Sequence, residues 1–315
     1  MRFKIPCKKN RFLRLTSLVL SLVLSLLSFT VLADMSAEPD RSLFWSVQKN
    51  GIPAGFLLGT IHSEDPRVLD FSADLIENLK ANDVFAMELV LDLHTLQGLS
   101  EYMHYPPGQG LESVIGIERF HLLEAALADY QVPDGFVSRM KPWAAMMTLS
   151  TPPPDTGFFM DLSLSLRAAG SGLKVVGLET LEQQLSFLED MPLPMQLSLL
   201  DQAIAEAGQV SEVHDQMVDA YLENDLVTLQ TLSDEQLKAV ETSASEYFIE
   251  SGIHARNHRM AESLLIQLES NRVFVAVGAL HLPGEEGLLS ILRQHGFVLA
   301  PLPMPFSTRS GVSTQ

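Results

Sequence analysis

Two histidines of this sequence occupy the same local pattern, Gly-x-x-His, and each pattern directly follows a short apolar run. The first pattern is Gly59-Thr60-Ile61-His62 and the second is Gly278-Ala279-Leu280-His281. Two acidic residues, Glu88 and Glu179, stand at the ends of two further apolar runs. Neutral imidazoles and carboxylates bind divalent ions, and they also transfer protons without a metal. The spacing therefore predicts a shared polar site, either a metal centre or an acid–base centre.

Each of these residues also has a plain structural explanation. A glycine after a strand permits a tight turn, and a nearby histidine often satisfies a backbone carbonyl. Glu179 precedes Thr180, where a helix is predicted to begin, and its charge suits the positive end of the helix dipole. Glu88 has apolar neighbours, and a carboxylate buried among them needs a partner or a metal. Because the pattern occurs twice at matched strand ends, we favour the shared site.

A third cluster, His254-Ala255-Arg256-Asn257-His258, opens a long predicted helix. Histidines four residues apart share one helix face, as in helical zinc sites, but the glutamate of the His-Glu-x-x-His motif is missing. We interpret Arg256 and Asn257 as pointing toward the strand ends, where a guanidinium stabilises anionic groups. The alternative is a solvated helix N-terminus. Asp161 is ambiguous in the same way.

Six short apolar runs predict the strands that position these residues. They do not alternate between apolar and polar positions, which favours strands covered on both faces, as in a parallel sheet between helices. The carboxyl ends of such strands meet at one crevice. Gly51 and Pro53 predict a hairpin at one edge of the sheet. The runs are 43–48, 55–60, 84–89, 174–178, 273–278 and, more weakly, 297–300.

Most remaining windows carry helical periodicity, with Ser72 and Ser233 as predicted N-caps. From about 91 to 173 and from 191 to 252 the chain holds helices without strands. We predict an α/β fold with a mostly parallel central sheet flanked by helices, in which these inserted helical segments form a cap or subdomain. The helical windows are 72–81, 117–130, 158–169, 181–188, 195–208, 211–224, 233–244, 254–270 and 286–294.

The composition excludes several classes of protein. The 315 residues include 21 Lys and Arg against 39 Asp and Glu, for a net charge of −18. Nucleic-acid binding is excluded, because phosphate contacts need clustered basic residues. The single cysteine excludes a disulfide framework and a cysteine-based zinc site. Any metal must therefore be held by histidine, carboxylate, amide or backbone groups.

The first 33 residues predict a signal peptide. A basic, acid-free segment precedes an apolar run, and Val31-Leu32-Ala33 predicts cleavage before Asp34. The alternative is an uncleaved membrane anchor, since the run is just long enough to span a bilayer. The lone cysteine, Cys7, leaves with the leader. We therefore predict a periplasmic or secreted domain over 34–315, with membrane contact only through an uncleaved leader.

Several motifs, taken in order along the chain, resemble the TraB/GumN family, which includes the Tiki proteases. The resemblance runs from about 43 to 301, and the segment between 91 and 174 matches only loosely. It implies a fold similar to erythromycin esterase and the ChaN haem-binding proteins. The motifs are Leu57-Leu58-Gly59-Thr60-Ile61-His62, Met87-Glu88-Leu89, Gly177-Leu178-Glu179-Thr180 with Gln183-Gln184-Leu185, Arg256-Asn257-His258-Arg259-Met260, and Val275-Ala276-Val277-Gly278-Ala279-Leu280-His281-Leu282-Pro283-Gly284.

For Tiki members the resemblance implies peptide hydrolysis that depends on a divalent metal. Carried over to matching positions, it marks His62, Glu88 and His281 as metal or catalytic residues, with Arg256 and Asn257 beside them.

The leading hypothesis is an exported metal-dependent hydrolase that acts on peptides. His62, Glu88 and His281 would hold Mn, Co, Zn or Fe, and the ion would activate a water. Glu179 is the predicted general base, and Arg256 or Asn257 would stabilise the oxyanion. Two alternatives stay open. One is a protein that binds a metal, haem or peptide without turnover, and the other is a metal-free esterase with a His/Glu acid–base pair.

Overall fold

The computed structural model describes residues 40–133, 135–238, 240–304 and 306. The predicted leader, its cleavage position and Cys7 lie outside these residues and stay predictions. Among the described residues, no helix is both long and apolar enough to cross a bilayer.

Six strands form one sheet in the order β4-β3-β5-β2-β1-β6. Strands β4, β3, β5 and β2 run parallel to one another, while β1 runs antiparallel to both β2 and β6. The mostly parallel α/β sheet predicted from the apolar runs is therefore confirmed. The strands are β1 Phe44–Lys49, β2 Ile52–Thr60, β3 Val84–Met87, β4 Lys174–Gly177, β5 Val273–Gly278 and β6 Phe297–Pro301.

Strands β3 and β5 are buried along almost their whole length, as their unbroken apolar runs predict. Every residue of β3 is buried, and so are all residues of β5 except Gly278. The β1–β2 hairpin is confirmed, with Asn50 and Gly51 both at positive φ, the conformation that a tight hairpin turn requires. The hairpin is not at the edge, because β6 pairs with the outer side of β1 and forms the edge itself.

Fourteen α-helices, numbered along the described part of the chain, surround the sheet or lie in the predicted insertions. A π-helical turn, Phe248–His254, leads directly into the thirteenth. The helices are α1 Pro66–Leu69, α2 Ala73–Lys80, α3 Leu93–Met103, α4 Leu111–Ile115, α5 Ile117–Ala126, α6 Pro142–Leu149, α7 Met160–Gly170, α8 Leu181–Glu189, α9 Leu193–Glu206, α10 Val210–Leu222, α11 Leu226–Lys238, α12 Thr242–Tyr247, α13 Ala255–Leu268 and α14 Leu288–Gln294.

Two helix boundaries show where local signals succeed and fail. The Ser72 hydroxyl accepts a hydrogen bond from the Leu75 N–H, so the predicted cap of α2 is confirmed. The predicted cap at Ser233 is wrong, because Ser233 lies inside α11. Burial of Leu226 and Leu229 extends that helix toward its N-terminus, so packing outweighs the capping signal.

Two apolar clusters divide the buried residues. The first packs around the sheet and includes the fully buried Phe85 and Phe274. The second is built mainly from the segments 111–149, 185–207 and 240–248, and it includes the buried Trp143 and Leu200. Parts of the predicted insertions thus form a second core, whereas α7, α10 and α11 contribute to the first. The role of the insertions as a cap or subdomain stays a prediction.

Gly55, in the middle of β2, is expected to tolerate no side chain. Its φ is +142°, and an added Cβ would lie 1.9 Å from the carbonyl oxygen of Val273 on β5. We expect Gly55→Ala to lower the free energy of unfolding by about 2 to 4 kcal/mol, measured by urea denaturation. The control is Gly208→Ala, which meets no atom within 4 Å and should change stability by less than about 1 kcal/mol. Similar losses in both variants would contradict this account of the sheet.

Candidate active site

A cavity of about 450 Å³ lies at the carboxyl ends of β2, β3 and β5. Thr60 pairs with Gly278, and Met87 with Ala276, so the three strands end within two residues of one another. The polar lining is Thr60, His62, Glu88, Asp161, Gln184 and Gly278, and the apolar lining is Met87, Leu89, Leu91, Leu96, Leu99 and Phe159. Sheet register therefore brings the first Gly-x-x-His motif, the start of the second and Glu88 to one place.

Glu88 is held by N–H donors on both carboxylate oxygens. The Gly278 N–H donates to Oε1 at 2.7 Å, and Arg256 Nη2 donates to Oε2 at 2.6 Å. Gln184 Nε2 adds a longer contact to Oε2 at 3.2 Å. Burial by itself raises the pKa of Glu88, but the charges of His281 and Arg256 and the Gly278 N–H outweigh burial and lower the pKa to about 2. At neutral pH Arg256 and Gly278 keep Glu88 ionised.

The close approach of Glu88 explains why position 278, in the second motif, is a glycine. A Cβ at Gly278 would lie 3.2 Å from Glu88 Oε1, so the carboxylate approaches the backbone only because the side chain is missing. Gly59 of the first motif is equally confined, with Leu282 2.7 Å from the position of a Cβ. Both glycines are therefore explained by close packing at the strand ends.

Arg256 lies between two carboxylates. Its Nε and Nη2 donate to Glu179 Oε2 at 2.9 and 2.7 Å, in addition to the contact with Glu88. The side chain of Arg256 is 9% exposed and that of Glu179 is 0% exposed. Arg259 lies 3.5 Å from the second oxygen of Glu179. Burial lowers the pKa of Arg256, but Glu88 and Glu179 raise it above its ordinary value, so the guanidinium stays charged.

His281 is buried in a fixed tautomer. Its Nδ1 lies 2.6 Å from Asn257 Oδ1, and Asn257 Nδ2 donates to the Glu286 carbonyl, which fixes the amide orientation. Nδ1 therefore carries the proton, and Nε2 carries the lone pair. Nε2 lies 3.7 Å from Glu88 Oε1 and 3.4 Å from Arg256 Nη1. Burial and Arg256 lower the pKa of His281 to about 4 against the opposing effect of Glu88.

This lowered pKa predicts a pH-dependent contribution of His281 to stability. The unfolded chain takes up the proton first as pH falls, so the contribution is present above pH 6.5 and is lost toward pH 4. We expect the stability difference between wild type and His281→Gln to shrink by about 2 to 3 kcal/mol between pH 6.5 and 4.5. Urea denaturation of both proteins at several pH values measures it, because the subtraction cancels groups that both share. A constant difference would contradict the buried neutral imidazole.

His62 differs from His281 because its ring is accessible from the cavity. It packs against Phe159 with ring centroids 3.9 Å apart. Partial burial and the nearby His214 lower the pKa of His62, while Glu64 and Glu88 raise it by less. His62 is therefore a neutral imidazole beside an ionised carboxylate, which is the state of a general base.

Asp161 is a site residue to which the sequence assigned no role. The Thr60 hydroxyl donates to Asp161 Oδ1 at 2.6 Å, across 101 residues of chain. Burial raises the pKa of Asp161, and Glu88 adds to this against the Thr60 hydrogen bond, so that the pKa reaches about 7. Gln184 was also missed as a site residue, although it lies in a quoted motif. The spacing of Asp161 carries no signal, since it comes from the loosely matching insertion.

The structure brings five of the six predicted site residues into one hydrogen-bonded network, and the sixth, His62, shares the cavity with Glu88. Four of the five are buried and lie outside the cavity lining; they are Glu179, Arg256, Asn257 and His281. The two histidines that flank Arg256 and Asn257 lie elsewhere. His254 contacts Glu250 and His258 contacts Glu286 near the surface.

The TraB/PrgY/gumN family matches residues 43–301, which span both Gly-x-x-His motifs and all six strands. The chain belongs to the TraB/PrgY/gumN family. The family resemblance inferred from the motifs is thereby confirmed.

Two relatives of this chain illustrate the similarity, and both are named metalloproteases. Metalloprotease TIKI2 of Xenopus tropicalis is 25% identical over 326 residues, covering 85% of this chain and 61% of the relative. Metalloprotease TIKI1 of Danio rerio is 25% identical over 325 residues, covering 86% and 65%. The chain thus spans less than two thirds of the length of these relatives. No solved structure matches it.

A metal ion, which those names imply, does not fit the side chains as they are arranged. Among the described residues, no group of three or more His, Cys, Asp or Glu is placed to hold an ion. Both oxygens of Glu88 already accept hydrogen bonds, and the Arg256 guanidinium lies 3.4 Å from the free nitrogen of His281. The positive charge of Arg256 would repel a metal ion bound at this position. The structure therefore does not assemble the metal site predicted from His62, Glu88 and His281.

Proposed function

We propose that this family member is an exported hydrolase that cleaves peptides in the cavity at the strand ends. The observation that carries the proposal is that His62, Glu88 and Asp161, in three different protonation environments, line one cavity. Carboxyl and imidazole groups whose pKa values are pushed apart are the usual basis of acid and base roles. The named metalloprotease relatives support peptides as substrate. Export to the periplasm or the exterior rests on the predicted leader.

In this proposal His62 is the general base. Its accessible neutral ring takes a proton from a water that attacks the substrate carbonyl. The ionised Glu88 favours the imidazolium that forms, which is the direction in which it already moves the pKa of His62. Gln184 lines the same cavity, and the amide proton not directed at Glu88 is available to the oxyanion.

Asp161 is the general acid. The water oxygen bonds to the carbonyl carbon, the C–N bond breaks, and the leaving amine takes the proton of Asp161. Thr60 fixes the carboxyl by its hydrogen bond to Oδ1. The proton held by His62 then passes through solvent to Asp161, so one water is consumed and both groups return to their starting states.

The remaining predicted residues have positioning roles in this proposal. Glu179, proposed from the sequence as the base, is enclosed and holds Arg256. Arg256, proposed for the oxyanion, holds Glu88, and Asn257 fixes the tautomer of His281. None of the three lines the cavity. Their effect on catalysis would pass through the position and charge of Glu88.

The leading hypothesis from the sequence adds a divalent ion, and the metal-free alternative does not. The occupied oxygens of Glu88 and the adjacent guanidinium favour the metal-free arrangement. We therefore expect peptide turnover to survive chelation, with metal content checked by mass spectrometry of the purified protein. Turnover that chelation abolishes and Mn, Co, Zn or Fe restores would contradict this and support the predicted metal site.

Peptide-library turnover, read by mass spectrometry across pH, tests the function itself. As pH increases, we expect the cleavage rate to rise below pH 6.5, where His62 loses its proton. The rate should fall again above about pH 7, where Asp161 loses its proton. A flat pH profile would contradict the assigned roles. Stoichiometric binding of library peptides without any product would support the alternative of a binding protein.

A further inference from the structure

One wall of the cavity is apolar and largely uncovered. It includes Leu91, Leu96 and Leu99, which lie in or just before helix α3, Leu93–Met103. No residue of α3 is buried, and Leu96 is 49% exposed. A surface helix ordinarily buries its apolar stripe against the core. The apolar stripe of α3 instead borders the cavity and solvent.

The helix is nevertheless held in place on its other side. Gly98 lies so close to α8 that a Cβ would sit 3.0 Å from Leu181. The Asp92 side chain caps the N-terminus by accepting a hydrogen bond from the Thr95 N–H at 2.8 Å. Leu96 and Leu99 are three residues apart and share one helix face. The leucines are therefore presented to the cavity by a positioned helix.

The charges of the cavity favour an uncharged occupant of this wall. No Lys or Arg side chain is among the lining residues that the structure describes. Glu88 already forms an ion pair with Arg256, which neutralises most of its negative charge. A charged substrate group against the leucines would lose water without gaining a partner. An apolar side chain would cover the exposed stripe and gain the usual stabilisation of buried apolar surface.

We infer that Leu91, Leu96 and Leu99 form the subsite for a large apolar side chain, leucine, phenylalanine or methionine, next to the peptide bond that is cleaved. The subsite is continuous with His62 and Glu88, because all of them line the same cavity. A cavity of about 450 Å³ lies within the range that small ligands occupy. The inference rests on the proposed function and names its substrate class.

Paired peptides that differ only by leucine or serine at one position test the subsite. We expect kcat/KM to be about 10- to 100-fold higher for the leucine peptide. Leu96→Asp should remove most of this ratio, because kcat/KM of the leucine peptide should fall far more than that of the serine peptide. The matched control is Leu122→Asp, an exposed leucine of α5 outside the cavity lining, which should keep the full ratio. A merely structural effect would lower both peptides together.

A binding experiment separates this inference from the proposed function. Calorimetry measures the affinity of the same peptides after the cleavable peptide bond has been reduced, so that it cannot be hydrolysed. If no peptide is cleaved but the leucine analogue binds and Leu96→Asp weakens it, the subsite stands and the hydrolase proposal fails. If peptides are cleaved without preference for apolar residues, the subsite is overturned and the hydrolase proposal stands. An equal loss of preference in Leu122→Asp also overturns the subsite.

Discussion

Replacing Arg256 by methionine is expected to lower the free energy of unfolding by about 3 to 5 kcal/mol. Methionine keeps an unbranched apolar stem but removes the guanidinium, so two carboxylates lose their common partner. Glu179 is fully enclosed and Glu88 is mostly buried, and Arg256 donates three hydrogen bonds to them. The penalty comes from leaving these charges without water and without a counter-ion. We also expect the pKa of Glu88 to rise in this variant.

Urea denaturation of wild type and variant at pH 7 measures the loss. Arg119→Met is the matched control, because Arg119 forms a surface pair with Asp201 in which the side chains are 28% and 54% exposed. Such pairs contribute about 0 to 1 kcal/mol. A loss at Arg256 no larger than that at Arg119 would show that Glu88 and Glu179 find other partners or water, and would remove the network from the proposal.

Removing the imidazole of His62 is expected to lower kcat by about 10²- to 10⁴-fold with little change in stability. The ring is accessible, so its loss leaves no buried cavity, while the attacking water loses its base. Asp161→Asn should reduce amide cleavage to a similar extent because the leaving amine then lacks a proton donor. Activated aryl esters leave without protonation. His62→Ala should therefore impair both substrates, and Asp161→Asn mainly the peptide.

Parallel kinetics on a peptide and on an aryl ester of the same acyl group measure this difference. His121→Ala, at another exposed histidine, is the control and should retain full activity on both. Melting temperatures show whether a loss reflects folding. An Asp161→Asn variant that loses ester and peptide cleavage equally would contradict its role as acid, and an active His62→Ala variant would contradict the base.

The strands were predictable because their signal is local. Each of the six apolar runs became a strand within a few residues of its predicted ends. The unbroken apolar character of β3 and β5 also predicts burial on both faces and hence a parallel sheet. Parallel strands end at one edge, so the meeting of His62, Glu88 and the second motif followed from the pattern alone.

The helical insertions were less predictable. Helix α6, Pro142–Leu149, buries residues on all sides within the second apolar cluster, so it shows no 3.6-residue periodicity to read. Helix α3 was missed for the opposite reason, since it buries no residue at all. The predicted helix 233–244 is divided in the structure between α11 and α12. Packing between distant helices decided these boundaries.

The sequence by itself determined the sheet, the leader composition that predicts export, and the residue types that meet at the strand ends. Only the tertiary structure decided what these residues do to one another. Arg256 reaches Glu88 across 168 residues and Glu179 across 77, and Asp161 enters from an insertion to meet Thr60. Periodicity and turn chemistry act over a few residues, whereas the choice among hydrogen-bond partners depends on ångström-scale distances set by strand register and helix packing.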